Sequence, residues 1–340
     1  MPLLRVSLLA ALTLPQAATA QWVYTMTGAG ELRGLSVFGT YAVWASGARG
    51  SVVRSTDGGR TWIADTVPGS TTQDFRAIHA VSDGAAFIAS AGEAEKGLAN
   101  IFATSDAGRR WNLAFTTEEK GVFFDALEFW DIKNGVALSD PVDSAFALFI
   151  TADSGRTWNR LPAAQLPRVL PGEAAFAASG SSMVLRGKSE VWIGTGGGGR
   201  GRVMYSPDRG ATWTVAETPV HADGAAAGIF SLAFFDSKRG AAVGGDYAKR
   251  TLAATSVALT SDGGRSWRAA KAPPAAFLSG VAYAGTPANL VAVGLAGTFA
   301  SKDGGDTWVQ VDTIPLNSVR FRGTAGWAAG PRGRVARWEP

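Results

Sequence analysis

Apolar residues in this chain come in short runs separated by turn-forming residues, the pattern of β-strands. Four such runs follow one another at residues 75–81, 85–90, 100–104 and 110–115, and they are expected to be strands a, b, c and d of one antiparallel unit. Between the third and fourth stands Thr104-Ser-Asp106-Ala-Gly108-Arg-Arg110-Trp111, one of six copies of a single pattern: Ser or Thr, any residue, Asp, any residue, Gly, two residues, Trp. The six aspartates are Asp57, Asp106, Asp153, Asp208, Asp262 and Asp303, each followed five residues later by a tryptophan, from Trp62 to Trp308. An aspartate in a tight turn accepts hydrogen bonds from backbone N–H groups just ahead of it, and glycine supplies a positive φ. The pattern is therefore expected to be a self-sufficient c–d hairpin, with the indole wedged against a neighbouring repeat.

Successive aspartates are 49, 47, 55, 54 and 41 residues apart, the period of a four-stranded propeller blade. Six hairpins do not make six blades. After the last one, residues 317–322, 325–329 and 334–338 supply strands a, b and c, and then the chain ends without a fourth. Residues 21–25 (Gln-Trp-Val-Tyr-Thr) align with Thr61-Trp62-Ile63-Ala64-Asp65 and can fill that place. The expected fold is all-β, a single seven-bladed β-propeller over residues 21–340 whose last blade is closed by the N-terminal strand, removing an open sheet edge.

Ahead of the repeats, Arg5, an apolar run over residues 6–14 and Ala18-Thr19-Ala20 read as a secretory signal with its cleavage site. The run is short for a membrane span, so an exported mature chain without a transmembrane segment is expected, periplasmic or extracellular and monomeric. The sequence has no cysteine, which excludes disulfides, thiolate metal sites and a cysteine nucleophile. A net charge of +4 with dispersed arginines and no basic block argues against nucleic-acid binding. No cofactor is indicated: a dinucleotide fingerprint is lacking, and the Gly-rich run at 194–201 precedes neither Lys-Ser/Thr nor a helix.

Strand alternation puts the a–b and c–d turns on one face and the b–c and d–a loops on the other. The six repeated aspartates then fall on the first face, with their hydrogen-bonding capacity used by their own turns. The long unrepeated loops crowd the second face from blade 2 to blade 5: 92–97, 139–143, 166–173, 194–200, 221–224 and 245–250. Loops on a rigid scaffold are the usual place for recognition. Where strand a leaves that face, successive blades present Arg33, Arg76, Asp125, Ser231, Ser279 and Ser318, with blade 4 hard to register near residues 179–182. These positions line either a ligand mouth or a water-filled channel. Candidate ligand-binding residues are Arg33, Arg76, Asp125, Asp140, Glu173, Asp246, Tyr247 and Lys249. Among them Asp125, Asp140, Glu173 and Asp246 are the candidate catalytic acids, since paired carboxylates permit acid/base work or glycoside hydrolysis. The same acids could hold calcium, although no Asp-x-Asp-x-Asp-Gly loop is present. His79 and His221 have no metal-ligand spacing, and His79 is expected to be packed.

The repeated hairpins resemble the Asp box, or BNR repeat, of sialidases and related β-propellers. With Gly326-Trp327-Ala-Ala-Gly330-Pro-Arg-Gly333-Arg-Val335, Val291-Ala-Val293-Gly294 and Gly240-Ala-Ala-Val243-Gly244, residues 21–340 look like the photosystem II stability/assembly factor-like branch. That resemblance implies a propeller that binds protein intermediates without catalysis. The more distant sialidase resemblance implies an arginine triad, two of whose members would be Arg33 and Arg76, and a Tyr/Glu nucleophile pair; the Arg-Ile-Pro signature is absent, and Tyr247 is the one tyrosine in a loop of the second face. Two functional classes therefore stand side by side: a non-catalytic exported propeller binding a protein or glycan through the b–c/d–a face, and a glycan-active hydrolase or lyase using the channel-mouth carboxylates.

Overall fold

The computed structural model describes residues 21–252 and 254–339. The signal-peptide reading falls on residues 1–20 and lies outside the described residues. Strands form seven antiparallel sheets of four, each a meander from the inside outward. Blade 1 runs Leu32–Phe38, Ala42–Gly47, Ser51–Ser55 and Ile63–Thr66; blade 2 runs Phe75–Ala80, Ala86–Ser90, Asn100–Thr104 and Asn112–Thr116. The innermost strands of consecutive blades touch one another in a closed ring.

Closure follows the expected route. Gln21–Met26 pairs in unbroken antiparallel register with Arg334–Glu339, from Gln21 opposite Glu339 to Met26 opposite Arg334, and becomes strand d of blade 7. Trp22 is buried against Trp338, with ring centroids 4.8 Å apart, and its indole N–H donates to Thr298 Oγ1 of blade 6 at 2.9 Å. One strand thus joins the two chain ends and pins the last interblade seam.

The repeated turns are built alike. In the third, Thr151 Oγ1 accepts from Gly155 N at 2.9 Å and donates to Asp153 Oδ1 at 2.9 Å, while Asp153 accepts from both the N–H and the hydroxyl of Thr157 at 2.9 and 2.6 Å. The Thr157 bonds hold the Asp153 carboxyl down at about 2. Two residues, not one, take positive φ in each turn: Ser154 at 64° and Gly155 at 73° here. Glycine at the second is required twice over, because a Cβ on Gly155 would sit 2.5 Å from the Phe87 ring of the preceding blade. The tryptophans also pack backward, as expected of a wedge: Trp111 lies edge-on to Trp44 at 6.2 Å, and Trp62, Trp158 and Trp267 join the clusters of Trp327, Phe87 and Trp192. Each tryptophan precedes strand d instead of beginning it, so the strand starts a residue or more later than expected.

Candidate functional site

On the face of the b–c and d–a loops the central channel opens into a cavity of about 340 Å³. Local backbone irregularity shapes its rim. In blades 1, 2, 3 and 5 the pairing of strands a and b slips by one residue, between Leu32 and Gly34, Phe75 and Ala77, Phe124 and Ala126, and Ile229 and Ser231. The residues skipped are Arg33, Arg76, Asp125 and Phe230, and all four line the cavity. A bulge re-aims the extra side chain, here from the blade interior into the channel mouth.

A second device closes the floor. Residues 174–182, between blades 3 and 4, pass across the channel instead of extending strand a of blade 4, which is confined to Met183–Arg186. Ala175 N donates to Asp140 Oδ1 of blade 3 at 3.0 Å, Ser181 Oγ donates to Ser231 Oγ of blade 5 at 2.8 Å, and Ser179 Oγ donates to Ser279 O of blade 6 at 2.7 Å. Gly180, at φ +65°, comes so near blade 2 that a Cβ would lie 3.1 Å from Ala77 Cα. The small residues of Ala174-Ala-Phe-Ala-Ala-Ser-Gly-Ser-Ser suit a backbone threaded through a lumen. This crossing is why blade 4 resists registration.

One wall of the cavity is cationic and the other aromatic. Arg33 pairs with Glu31 at 2.8 Å and Arg76 with Asp74 at 2.7 Å, and Arg250 lines the opposite rim. Phe176 stacks on Phe230 with centroids 4.0 Å apart, Phe277 meets Phe230 edge-on at 4.7 Å, and half-exposed Tyr247 completes the wall. Between the walls lie Asp125 and Asp140. Asp125 is 1% exposed and its Oδ2 has no hydrogen-bond partner among the described residues. Burial first, then the neighbouring Asp140 carboxylate, pushes the Asp125 carboxyl well above its usual range, with Arg76 opposing. Burial raises Asp140 to about 6 against the stabilising N–H of Ala175.

The expected site is thus partly assembled. Arg33, Arg76, Asp125, Asp140 and Tyr247 converge, whereas Glu173, Asp246 and Lys249 stand outside the cavity lining. The Glu173 side chain is wholly buried, where it pairs with Arg202 and accepts from Thr195 Oγ1 at 2.6 Å and Leu170 N at 2.7 Å. Asp246 caps a turn through Ala248 N at 2.9 Å and Lys249 N at 3.2 Å, and exposed Lys249 lies 3.9 Å from it. The four acids therefore do not form one constellation, because two are consumed by structural bonds. Ser231 and Ser318 are buried and do not line this mouth; the bulge gives the blade 5 position to Phe230. Ser231 instead accepts from Val281 N at 3.1 Å, tying blade 5 to blade 6. Phe176, Phe230 and Phe277 were not among the expected residues, and Arg250 was covered only as part of the 245–250 loop; Phe230 lies in an apolar strand, and only a one-residue shift of blade 5 onto Arg33, Arg76 and Asp125 would have singled it out. His79 sits in an inner strand as expected, mostly buried with the Phe129 ring 5.6 Å away, and its ring nitrogen bonds Glu128 on the channel wall. His221 lies 3.8 Å from Asp223 on the outer rim of the same face.

No family model and no curated protein matches this chain. Among solved structures it is similar to one titled "YCF48 bound to D1 peptide", with a TM-score of 0.67 and 18% identity over 94% of this chain and 97% of that one. A second, YCF48 from Cyanidioschyzon merolae, gives a TM-score of 0.66 and 16% identity over 95% and 99%. At these identities the likeness establishes the fold.

Proposed function

We propose that this chain is an exported, non-catalytic propeller, Asp-box in type and assembly-factor-like in role, that binds a segment of a protein partner at the mouth on the b–c/d–a face. The observation that carries the reading is the cavity itself, open to solvent, with guanidinium groups facing stacked aromatic rings. Such a mouth suits an extended segment that offers a carboxylate to the arginines and an apolar side chain to Phe230 and Tyr247. Support also comes from the fold neighbour described as bound to a D1 peptide. Export rests on the signal-like residues 5–20. A glycan-active reading would have to run on Asp125 and Asp140 alone, and Asp125 is too deeply covered to reach a glycosidic oxygen.

The paired acids make this binding dependent on pH. With Asp140 ionised, Glu31, Asp74 and Asp140 balance Arg33, Arg76 and Arg250, while burial and the Asp140 charge disfavour ionisation of Asp125. Protonating Asp140 as pH falls through about 6 leaves one net positive charge. An anionic segment therefore binds more tightly at pH 5.5 than at pH 8. The gain is about tenfold, from roughly 1.5 kcal/mol for a unit charge about 10 Å away at an effective dielectric of ~20. Titrating one selected acidic peptide by calorimetry at both pH values, with Asp140→Asn as the pH-insensitive control, checks the sign; equal affinities in the parent would remove Asp140 from the account.

A further inference from the structure

The strands that frame the first mouth also frame a second. Three residues beyond Arg33, Arg76 and Asp125 on the same inner strands stand Ser36, His79 and Glu128, a step of about 10 Å along an extended chain. They line a separate cavity of about 280 Å³ on the a–b side, and the buried crossing of residues 174–182 lies between the two. Its polar wall is an interaction chain: His79 Nδ1 meets Glu128 Oε2 at 2.5 Å, and Arg320 Nη2 meets Glu128 Oε1 at 3.4 Å. Facing it across the channel, Val184, Leu185, Ala233 and Tyr283 supply a largely apolar wall.

Hydrogen-bonding capacity at this wall is unspent. Among the described residues Glu128 is the one side-chain partner of Arg320, which leaves most of a five-donor fork without an acceptor. The Tyr283 hydroxyl and the second ring nitrogen of His79 likewise have no protein partner there. Burial, and then the nearby Asp236 carboxylate, raise the Tyr283 hydroxyl above its ordinary value against Arg239, so it remains a donor at any physiological pH. Arg322 adds a second cation, held to Val37 O at 3.3 Å. Among the groups lining this cavity two guanidiniums stand against one carboxylate, and Asp236 and Arg239 beside Tyr283 offset each other; that leaves room for a single negative charge, and Glu128 penalises a dianion.

We infer that the second mouth binds a small monocarboxylate with an apolar or aromatic body. Its carboxylate engages the planar fork of Arg320 and the Tyr283 hydroxyl, and its body lies against Val184, Leu185 and Ala233. The site is independent of the peptide mouth, since the floor of one channel end is the roof of the other.

Saturation-transfer NMR of the purified chain with benzoate tests this, with inorganic phosphate as competitor. Saturable one-site binding is expected, of millimolar order as befits so small a ligand. Arg320→Gln should weaken it at least tenfold, Tyr283→Phe severalfold, and Glu128→Gln should tighten it about tenfold by removing the like charge. Phosphate should fail to displace benzoate, and peptides held by the first mouth should not compete, so failure here is distinct from failure of the peptide reading. No saturable binding, displacement by phosphate, or benzoate affinity unchanged in Arg320→Gln would overturn the inference. Should Arg320→Gln not fold, unchanged affinity in both Tyr283→Phe and Glu128→Gln overturns it equally.

Discussion

Asp140 precedes and Asp153 follows the same strand, Ala145–Thr151, yet their carboxyls are driven in opposite directions, to about 6 and about 2. Asp153 sits at the surface in a turn that offers it two N–H or O–H donors from Thr157; Asp140 is partly buried at the channel mouth beside a second acid. The repeated acids are surrounded by their own solutions. The mouth acids are held in a place that destabilises their charge, the environment that makes Asp125 and Asp140 candidates for the proposed site. The most recognisable acids in the chain are thus its framework, whereas Asp125 and Asp140, which no repeat contains, line the channel mouth.

Glu173 lies near the mouth but behaves as framework. Glu173→Ala would leave Arg202 buried without its partner and should cost about 3–5 kcal/mol in urea unfolding. A variant of parental stability would return Glu173 to the site. In the turn region, Gly155→Ala combines a positive-φ penalty with overlap on Phe87 and should cost about 2–4 kcal/mol, read as a lowered Tm. At the mouth the sign reverses. Because the folded-state pKa of Asp140 is raised, its favourable contribution is full below about pH 4 and is lost as pH rises through about 6. Asp140→Asn should therefore stabilise the fold at pH 8 by about 3 kcal/mol and have little effect at pH 4. Asp153, with its lowered pKa, contributes above about pH 4 and loses that contribution as pH falls through about 2, so Asp153→Asn should stabilise at neither pH. Urea melts at the two pH values separate the acids.

The architecture was legible because repetition averages out local ambiguity: six hairpins count the blades, and Trp22 marks the missing strand. Arg33, Arg76 and Asp125 were found for the same reason, as equivalent positions on equivalent strands. What failed was what repetition does not encode. A bulge adds one residue without a sequence signal, which moved the blade 5 position from Ser231 to Phe230. The partner of Glu173 lies 29 residues away, at Arg202, so its acid looked free. The crossing at 174–182 replaces part of a strand with a run of small residues whose meaning appears only once a lumen exists for it to fill.

The central claim is that the b–c/d–a mouth receives a protein segment. The direct measurement is display selection of peptides against the purified chain, followed by calorimetric affinities for the parent and for Arg33→Gln/Arg76→Gln, with unfolding curves confirming that the variant is folded. The account predicts enriched peptides carrying an acidic group beside an apolar residue, with affinity lost at least tenfold in the variant. Peptides that bind the folded variant as tightly as the parent would contradict it, as would a selection that yields none above background.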